Sequence, residues 1–439
     1  MDAVISRRAC AAVLALCLDL SAPAAEAARK TPEEVLRAWY GLVLKLVRHT
    51  PTYSPPVAAR AFAYLGVAAY EATSSGAPGM RSLAGQLNGL ADLPKREAGL
   101  DYDNTIVLDA AMSTGAEAFF ENTGPTGQRV MAAQAAQSSG EAATDVPAEV
   151  VLRSRTYGEA IAKHVLAWSK TDGGAVVENL GFPSAYALTA GPSHWAPTSR
   201  IALQQTPLLP KWGSNRTFAL KDGMACQLPP PPDYSEDKSS EFYRQALEVY
   251  DTVKTLTDEQ KAIARFWSDD PMLSPTPPGH WISIALQILE RDHRKVADSA
   301  DILARIGIAE ADAFIGCWNT KYQYDLLRPI TYIHRVIDPK WEPLLITPPF
   351  PEYPSGHSTQ SGAAAAVLTQ FFGENFAFED ATHVRDGLQA RKYASFWAAA
   401  KEAAESRLYG GIHFRAAIER GLDQGECIGK AINALRTKG

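Results

Sequence analysis

Pro354-Ser355-Gly356-His357-Ser358-Thr359-Gln360-Ser361-Gly362-Ala363-Ala364-Ala365-Ala366-Val367-Leu368 reads as a turn running into a helix of small residues. Pro354 keeps Tyr353 extended, and Ser355-Gly356 supply a hydroxyl and bare backbone at the helix entrance. A helix start of this kind points free N–H groups and the positive end of the helix dipole outward. That is a ready oxyanion site with an imidazole beside it. The same residues are also ordinary turn chemistry, so the stretch alone decides the local helix and leaves its use open.

The helical pattern continues outward in both directions. Leu36, Trp39, Tyr40, Leu42, Val43, Leu46 and Val47 recur at helical spacing behind Pro32. An Ala-rich helix is expected from Val57 to about Thr73, its small side chains letting neighbours approach closely. Arg60 and Glu71 within it read as structural ion-pair members. Further helices are expected over 103–122 and 128–169, with soft breaks at Gly124-Pro125 and Ser138-Ser139-Gly140. Beyond the middle of the chain the expected helices span 241–255, 258–267, 282–291, 296–327, 357–372, 384–409 and 413–435. No stretch shows sustained strand alternation, which makes the fold all-α, two packed helical bundles. Between the halves, residues 172–234 carry Gly173-Gly174 and Pro229-Pro230-Pro231-Pro232 and exclude long helices. The resulting division is a signal peptide at 1–27, an N-terminal half at 28–171, a crossover at 172–234 and a C-terminal half at 235–439.

The 439 residues are 46% apolar and 21% charged, normal for a globular protein. The net charge of −6 gives no general reason to expect nucleic acid as partner. Any anion site must be built locally from focused Lys and Arg. Arg7-Arg8, the apolar run Ala9–Leu18 and Ala25-Glu26-Ala27 read as an export signal, secretory in pattern with a faint twin-arginine likeness. The expected location is periplasmic or secreted. No later apolar run is long enough to span a membrane. Removing the leader takes Cys10 and Cys17 with it, leaving Cys226, Cys317 and Cys427. One bridge at most can form, and spacing does not choose the pair.

Two further stretches carry polar chemistry. In Trp318-Asn319-Thr320-Lys321-Tyr322-Gln323-Tyr324-Asp325-Leu326-Leu327-Arg328-Pro329, Lys321 and Arg328 are two helical turns apart, so both cations leave one face. Alone this is a solvated basic face. In Glu405-Ser406-Arg407-Leu408-Tyr409-Gly410-Gly411-Ile412-His413-Phe414, the glycine pair breaks one helix and sets His413 at the entrance of the next. A histidine between Ile and Phe is ordinarily a satisfied core residue.

Taken together, the three stretches resemble a shared signature. The order Lys-x6-Arg-Pro, Pro-Ser-Gly-His, Ser-Arg-x5-His is similar to that of type 2 phosphatidic-acid phosphatases, bacterial class A acid phosphatases and vanadium haloperoxidases. The resemblance implies an oxyanion held by Lys321, Arg328, Ser355, Gly356 and Arg407, with His413 as axial ligand or nucleophile and His357 as acid–base. The residue chemistry agrees, since three cations and neutral donors suit a tetrahedral polyanion. Pro348-Pro349-Phe350-Pro351-Glu352-Tyr353-Pro354, Trp318, Phe350 and Phe266-Trp267-Ser268-Asp269-Asp270 resemble vanadium chloroperoxidases. That likeness implies an all-helical haloperoxidase using vanadate, hydrogen peroxide, a halide and a small organic acceptor. It puts Trp318 and Phe350 in the pocket and Asp270 on the motif arginine, with Asp269 its rival.

The alternative enzyme is an acid phosphatase acting through a phosphohistidine at His413. Phosphatases of this superfamily place Asp four residues after that histidine, and position 417 here is Ala, which counts against them. An oxyanion-binding protein without turnover would need neither His357 nor His413. His280, in Pro-Pro-Gly-His-Trp, lines the pocket, caps a helix or sits in the core.

Overall fold

The computed structural model describes residues 29–199 and 204–439. The expected leader, with Cys10 and Cys17, lies outside them. The N-terminal half is α1 (Pro32–Arg48), α2 (Pro55–Ser74), α3 (Asn104–Phe119), α4 (Gly124–Ala142) and α5 (Ala148–Ser169). The C-terminal half is α6 (Glu241–Lys254), α7 (Asp258–Phe266), α8 (Thr276–Arg291), α9 (Val296–Tyr324), α10 (Pro329–Val336), α11 (Gly356–Phe372), α12 (Phe396–Tyr409) and α13 (Arg415–Asn433). The crossover contains no α-helix among its described residues; Trp212–Ser214 forms one 3-10 turn.

Several expectations need correction. The chain between α3 and α5 breaks at residues 143–147, not at Ser138-Ser139-Gly140. Ser138 is buried within α4 and donates to Asp109 Oδ1 at 2.5 Å, which absorbs its tendency to cap or turn. Helix α8 starts at Thr276, not Ile282, because Pro277 and Pro278 fall in the first turn, where no intrahelical N–H is needed. The helix expected over 384–409 starts only at Phe396; its first part holds β2 (Arg391–Tyr393), which pairs antiparallel with β1 (Phe378–Asp380) just upstream. Three-residue strands are too short for alternation to show. Arg60 pairs with Asp172 at 2.6 Å as expected, whereas Glu71 accepts the Leu83 N–H and burial pushes its carboxyl up to about 7.

The two halves share one continuous apolar core, from Val35 and Trp39 through Ile306 to Ile432. Close helix approach makes this possible. A Cβ on Gly66 would fall 2.9 Å from Ala304 Cα, and one on Gly307 would fall 3.0 Å from Ala63 Cα, so α2 and α9 touch backbone to backbone. The run that opens α11 is matched in the same way by Gly421, Gly425 and Gly429 on α13. A Cβ at Gly425 would lie 2.1 Å from the Thr359 carbonyl, a contact that backbone cannot relieve without moving a helix. Gly425→Ala is expected to cost about 1–3 kcal/mol, read as a lowered midpoint in urea. An unchanged midpoint would show that the helix pair is looser than its geometry. Ser355 N–H also donates to the Ala417 carbonyl at 3.0 Å, so this packing sets the first turn of α11 beside the start of α13.

Candidate active site: buried cations around His413

Four segments converge. The last turns of α9 bring Trp318 and Lys321, and Asp325 in left-handed geometry (φ 47°) ends that helix. Arg328 is the N-cap of α10, Ser355 the N-cap of α11, and Arg407 lies in the last turn of α12. His413 sits two residues past Gly411, whose φ of +76° the turn requires. Lys321, Arg328, Ser355, Arg407 and His413 are each at most 3% exposed. The crossover buttresses this frame. The Leu208 carbonyl accepts from Trp318 Nε1 and the Tyr322 hydroxyl, and the Leu208 N–H donates to the Pro349 carbonyl.

The cations are held differently. Lys321 Nζ donates to the carbonyls of Pro351, Glu352 and Pro354, using all three of its N–H donors. Its contribution here is charge and control of the loop, not the free hydrogen bond expected for it. Burial, with Arg328 nearby, brings its ammonium down to about 8. Arg328 Nε donates to the Phe350 carbonyl at 2.8 Å and Nη1 to the Ile412 carbonyl at 3.0 Å, while Nη2 is buried with no partner. Phe350 lies between these charges, its ring centroid 5.1 Å from Lys321 Nζ, 4.9 Å from Arg328 Cζ and 4.9 Å from the Trp318 ring. Arg407 Nε donates to the Ser406 hydroxyl and Nη2 to the Trp267 carbonyl. No carboxylate is within ion-pair distance of Arg407 among the described residues. Asp270, expected to pair with it, acts only through space, as does Asp269.

His413 has a defined tautomer. Its Nδ1 is 2.8 Å from Glu352 Oε1, which also accepts the Phe414 N–H at 2.8 Å, and its Nε2 is 3.2 Å from Arg328 Nη1. Arg328 can only donate, so Nε2 carries a lone pair and Nδ1 the proton. Burial, then Arg328, Lys321, Arg407 and His357, hold the ring well below the usual imidazole range and keep it neutral. Arg328, Lys321, Arg407 and His357, four of the residues named from the sequence, thus lie close enough to His413 to act on its ring. Glu352 is the functional residue that reading missed. It supplies the carboxylate that position 417 lacks, so Ala417 ceases to count against a phosphatase. Burial, opposed by Arg328 and Lys321, pushes Glu352 up to about 7.

Ser355 Oγ accepts the Ser358 N–H at 3.3 Å, which leaves its O–H free to donate, and the first-turn N–H groups of α11 have no intrahelical acceptor. His357 is neutral, lowered by burial and then by Arg407, and its Nε2 has no hydrogen-bond partner at 3.8 Å from Asp269 Oδ2. His280 is fully buried between Asp269 and Asp380. Of its three expected places, the structure selects the core.

A neutral histidine whose Nε2 lone pair meets Arg328, with Lys321 and Arg407 close enough to act on the ring, is chemistry suited to holding an oxyanion in this mostly helical protein. The VCPO second helical-bundle domain profile matches residues 301–438. The vanadium chloroperoxidase of Curvularia inaequalis is 28% identical over 140 residues, 26% of this chain and 23% of that protein. A bacterial vanadium-dependent iodoperoxidase structure superposes with a TM-score of 0.84 at 36% identity, covering 93% of this chain and 97% of that one. A holo-type bacterial vanadium-dependent chloroperoxidase shares the fold, with a TM-score of 0.69 at 18% identity over 88% of this chain and 93% of that one. The chain belongs to the vanadium-dependent haloperoxidase family.

Proposed function

We propose that this chain oxidises a halide with hydrogen peroxide, using vanadate attached at His413, and that iodide is the halide to test first. The observation that carries the reading is the fixed tautomer of His413, whose Nε2 lone pair faces Arg328 while the charges of Lys321 and Arg407 also act on the ring. Vanadate fits the residues present. Arg328 Nη2 is an orphaned buried donor, and the Ser355 hydroxyl keeps a proton to donate. His413, Arg328, Arg407, Ser355 and the Gly356 N–H would hold the anion, with Lys321 adding charge. When bound, vanadate supplies a Lewis-acidic centre that activates hydrogen peroxide towards halide.

The chain's own groups do the remaining work. Glu352 holds the Nδ1 proton of His413 and so keeps Nε2 available as a ligand. The buried guanidinium groups favour the anion and neutralise charge without reorganising. His357 Nε2, neutral and unpartnered, takes a proton from hydrogen peroxide and returns it to the departing oxygen as water forms. The balance is peroxide, halide and one proton to hypohalous acid and water, and a small organic acceptor then takes up the halogen. The likeness to the bacterial iodoperoxidase supports iodide as the first choice.

The test measures triiodide formation against vanadate concentration, beside p-nitrophenyl phosphate hydrolysis by the vanadate-free chain. Saturable, vanadate-dependent iodide oxidation is expected. Robust phosphatase turnover with no halide oxidation at any vanadate level would sink the proposal.

We also propose that the protein is exported. The joined Cys226–Cys427 pair supports this, because disulfides persist in oxidising compartments. Cys317 stays free and buried. Intact-mass analysis of the protein made in its source cell should show loss of residues 1–27, and retention of them would count against export.

A further inference from the structure

Behind His357 lies a cluster that the proposed chemistry does not use. Asp269, on the loop after α7, His280, in the first turns of α8, and His383, on the loop after β1, are 3%, 0% and 4% exposed. Asp269 Oδ1 is 3.0 Å from His280 Nδ1 and 3.4 Å from His383 Nε2, and one ligand atom from each residue lies within 4.8 Å of the others. The two rings meet edge to face, with centroids 4.8 Å apart at 88°.

The far nitrogens are the telling feature. His280 Nε2 is 2.8 Å from Asp380 Oδ2, and His383 Nδ1 is 3.1 Å from Asp386 Oδ2. Each outer carboxylate is anchored in turn, Asp380 by the Thr382 N–H and Asp386 by Arg48. Metal-ligating histidines carry this arrangement, in which a carboxylate on one nitrogen turns the other nitrogen's lone pair inward. His383 Nε2 is buried, faces Asp269 and has no hydrogen-bond partner. Trp267 stacks on His280 at 4.4 Å, and the Phe266 ring packs against both histidines, so aromatic rings cover one side of the cluster.

We propose that Asp269, His280 and His383 form a second metal site, for a first-row divalent cation such as zinc. Two imidazoles and a carboxylate suit that class. Tetrahedral zinc with bonds of about 2.0–2.1 Å separates its ligand atoms by about 3.3 Å, close to the two separations seen. The ion would tie the α7–α8 loop, α8 and the segment after β1 together. Asp269 would stand between it and His357, because its other oxygen is 3.8 Å from His357 Nε2. The competing arrangement places a proton in the metal's stead. His280 then becomes an imidazolium between Asp269 and Asp380, and burial opposes that charge while the two carboxylates support it up to about 10.

The experiment measures metal content by elemental mass spectrometry on the full chain, expressed with zinc supplied and purified without chelator. About one equivalent of divalent metal per chain, separate from vanadium, is expected. After dipicolinate treatment, with vanadate re-supplied in both arms, added zinc should raise the melting temperature in a concentration-dependent way. His383→Gln should abolish stoichiometric binding. Asp386→Asn, which leaves all three ligands in place, should weaken zinc affinity about 10–100-fold. If His383→Gln fails to fold, the Asp386→Asn titration and the visible spectrum of cobalt added to the native chain carry the test. Negligible metal with a melting temperature indifferent to zinc would overturn the proposal, as would zinc binding that survives both substitutions.

Discussion

His413→Ala is expected to bring peroxide-dependent iodide oxidation down to the rate of vanadate free in solution, at every vanadate concentration. The expectation rests on geometry. Nε2 of His413 is the imidazole nitrogen that faces Arg328, and burial among the cations keeps the ring neutral and ligating. No other described imidazole can take over. His357 is the proposed proton carrier for peroxide, and His280 and His383 are engaged with carboxylates. Arg328, Arg407 and Ser355 remain in the variant, so weak anion binding should persist while turnover is lost. Equilibrium dialysis with vanadate beside the activity assay separates these effects. Retained turnover would show that the anion is attached elsewhere.

The second large effect is expected at Glu352. Glu352→Gln keeps the volume and the chance to accept the Phe414 N–H, but removes the charge that fixes the Nδ1 proton of His413. Outer partners of ligating histidines typically contribute 10–100-fold, so vanadate affinity or turnover should fall by about that factor. The positioning role predicts a particular split. Affinity for vanadate falls while the urea midpoint does not, because burial pushes the carboxyl up to about 7, so its charged form costs folding stability and a neutral amide removes that cost. Glu352→Asp, which keeps the charge on a shorter stem, should recover part of the loss. Equal loss in both variants with collapse of the midpoint would mean that Glu352 only holds the loop together.

The contrast between Glu352 and Ala417 shows what spacing can and cannot carry. An acid four residues beyond a histidine on a helix is visible in sequence, because helical geometry places both on one face. Glu352 reaches the same nitrogen from 61 residues away, across a proline-rich loop whose carbonyls Lys321 gathers. Nothing local marks it. Asp270 and its rival Asp269 could not be told apart by spacing either, because both lie on a non-helical loop where Asp269 has φ +50°, and both act on Arg407 through space. Spacing does not place His280, because Pro277 and Pro278 read as helix breakers in sequence and only the fold puts them in the first turn of α8.

Helices, by contrast, were legible from local terms alone. Apolar residues at helical spacing, proline at first positions and glycine after last ones are properties of a single segment, and α1, α2, α9, α11 and α13 appear where those terms put them. Lys321, Arg328, Ser355, His357, Arg407 and His413 are named by the family resemblance of three short motifs taken together, because each motif alone reads as a basic face, a turn or a core histidine. The sequence by itself therefore determined most of the helices, and the resemblance its motifs carry named the candidate residues for an oxyanion. Tertiary structure alone decided which donors remain free, with Lys321 consumed by carbonyls and Arg328 Nη2 left open. It also decided which carboxylates reach which imidazoles. Those are distances between remote segments, set by how closely glycine and alanine let α2 meet α9 and α11 meet α13.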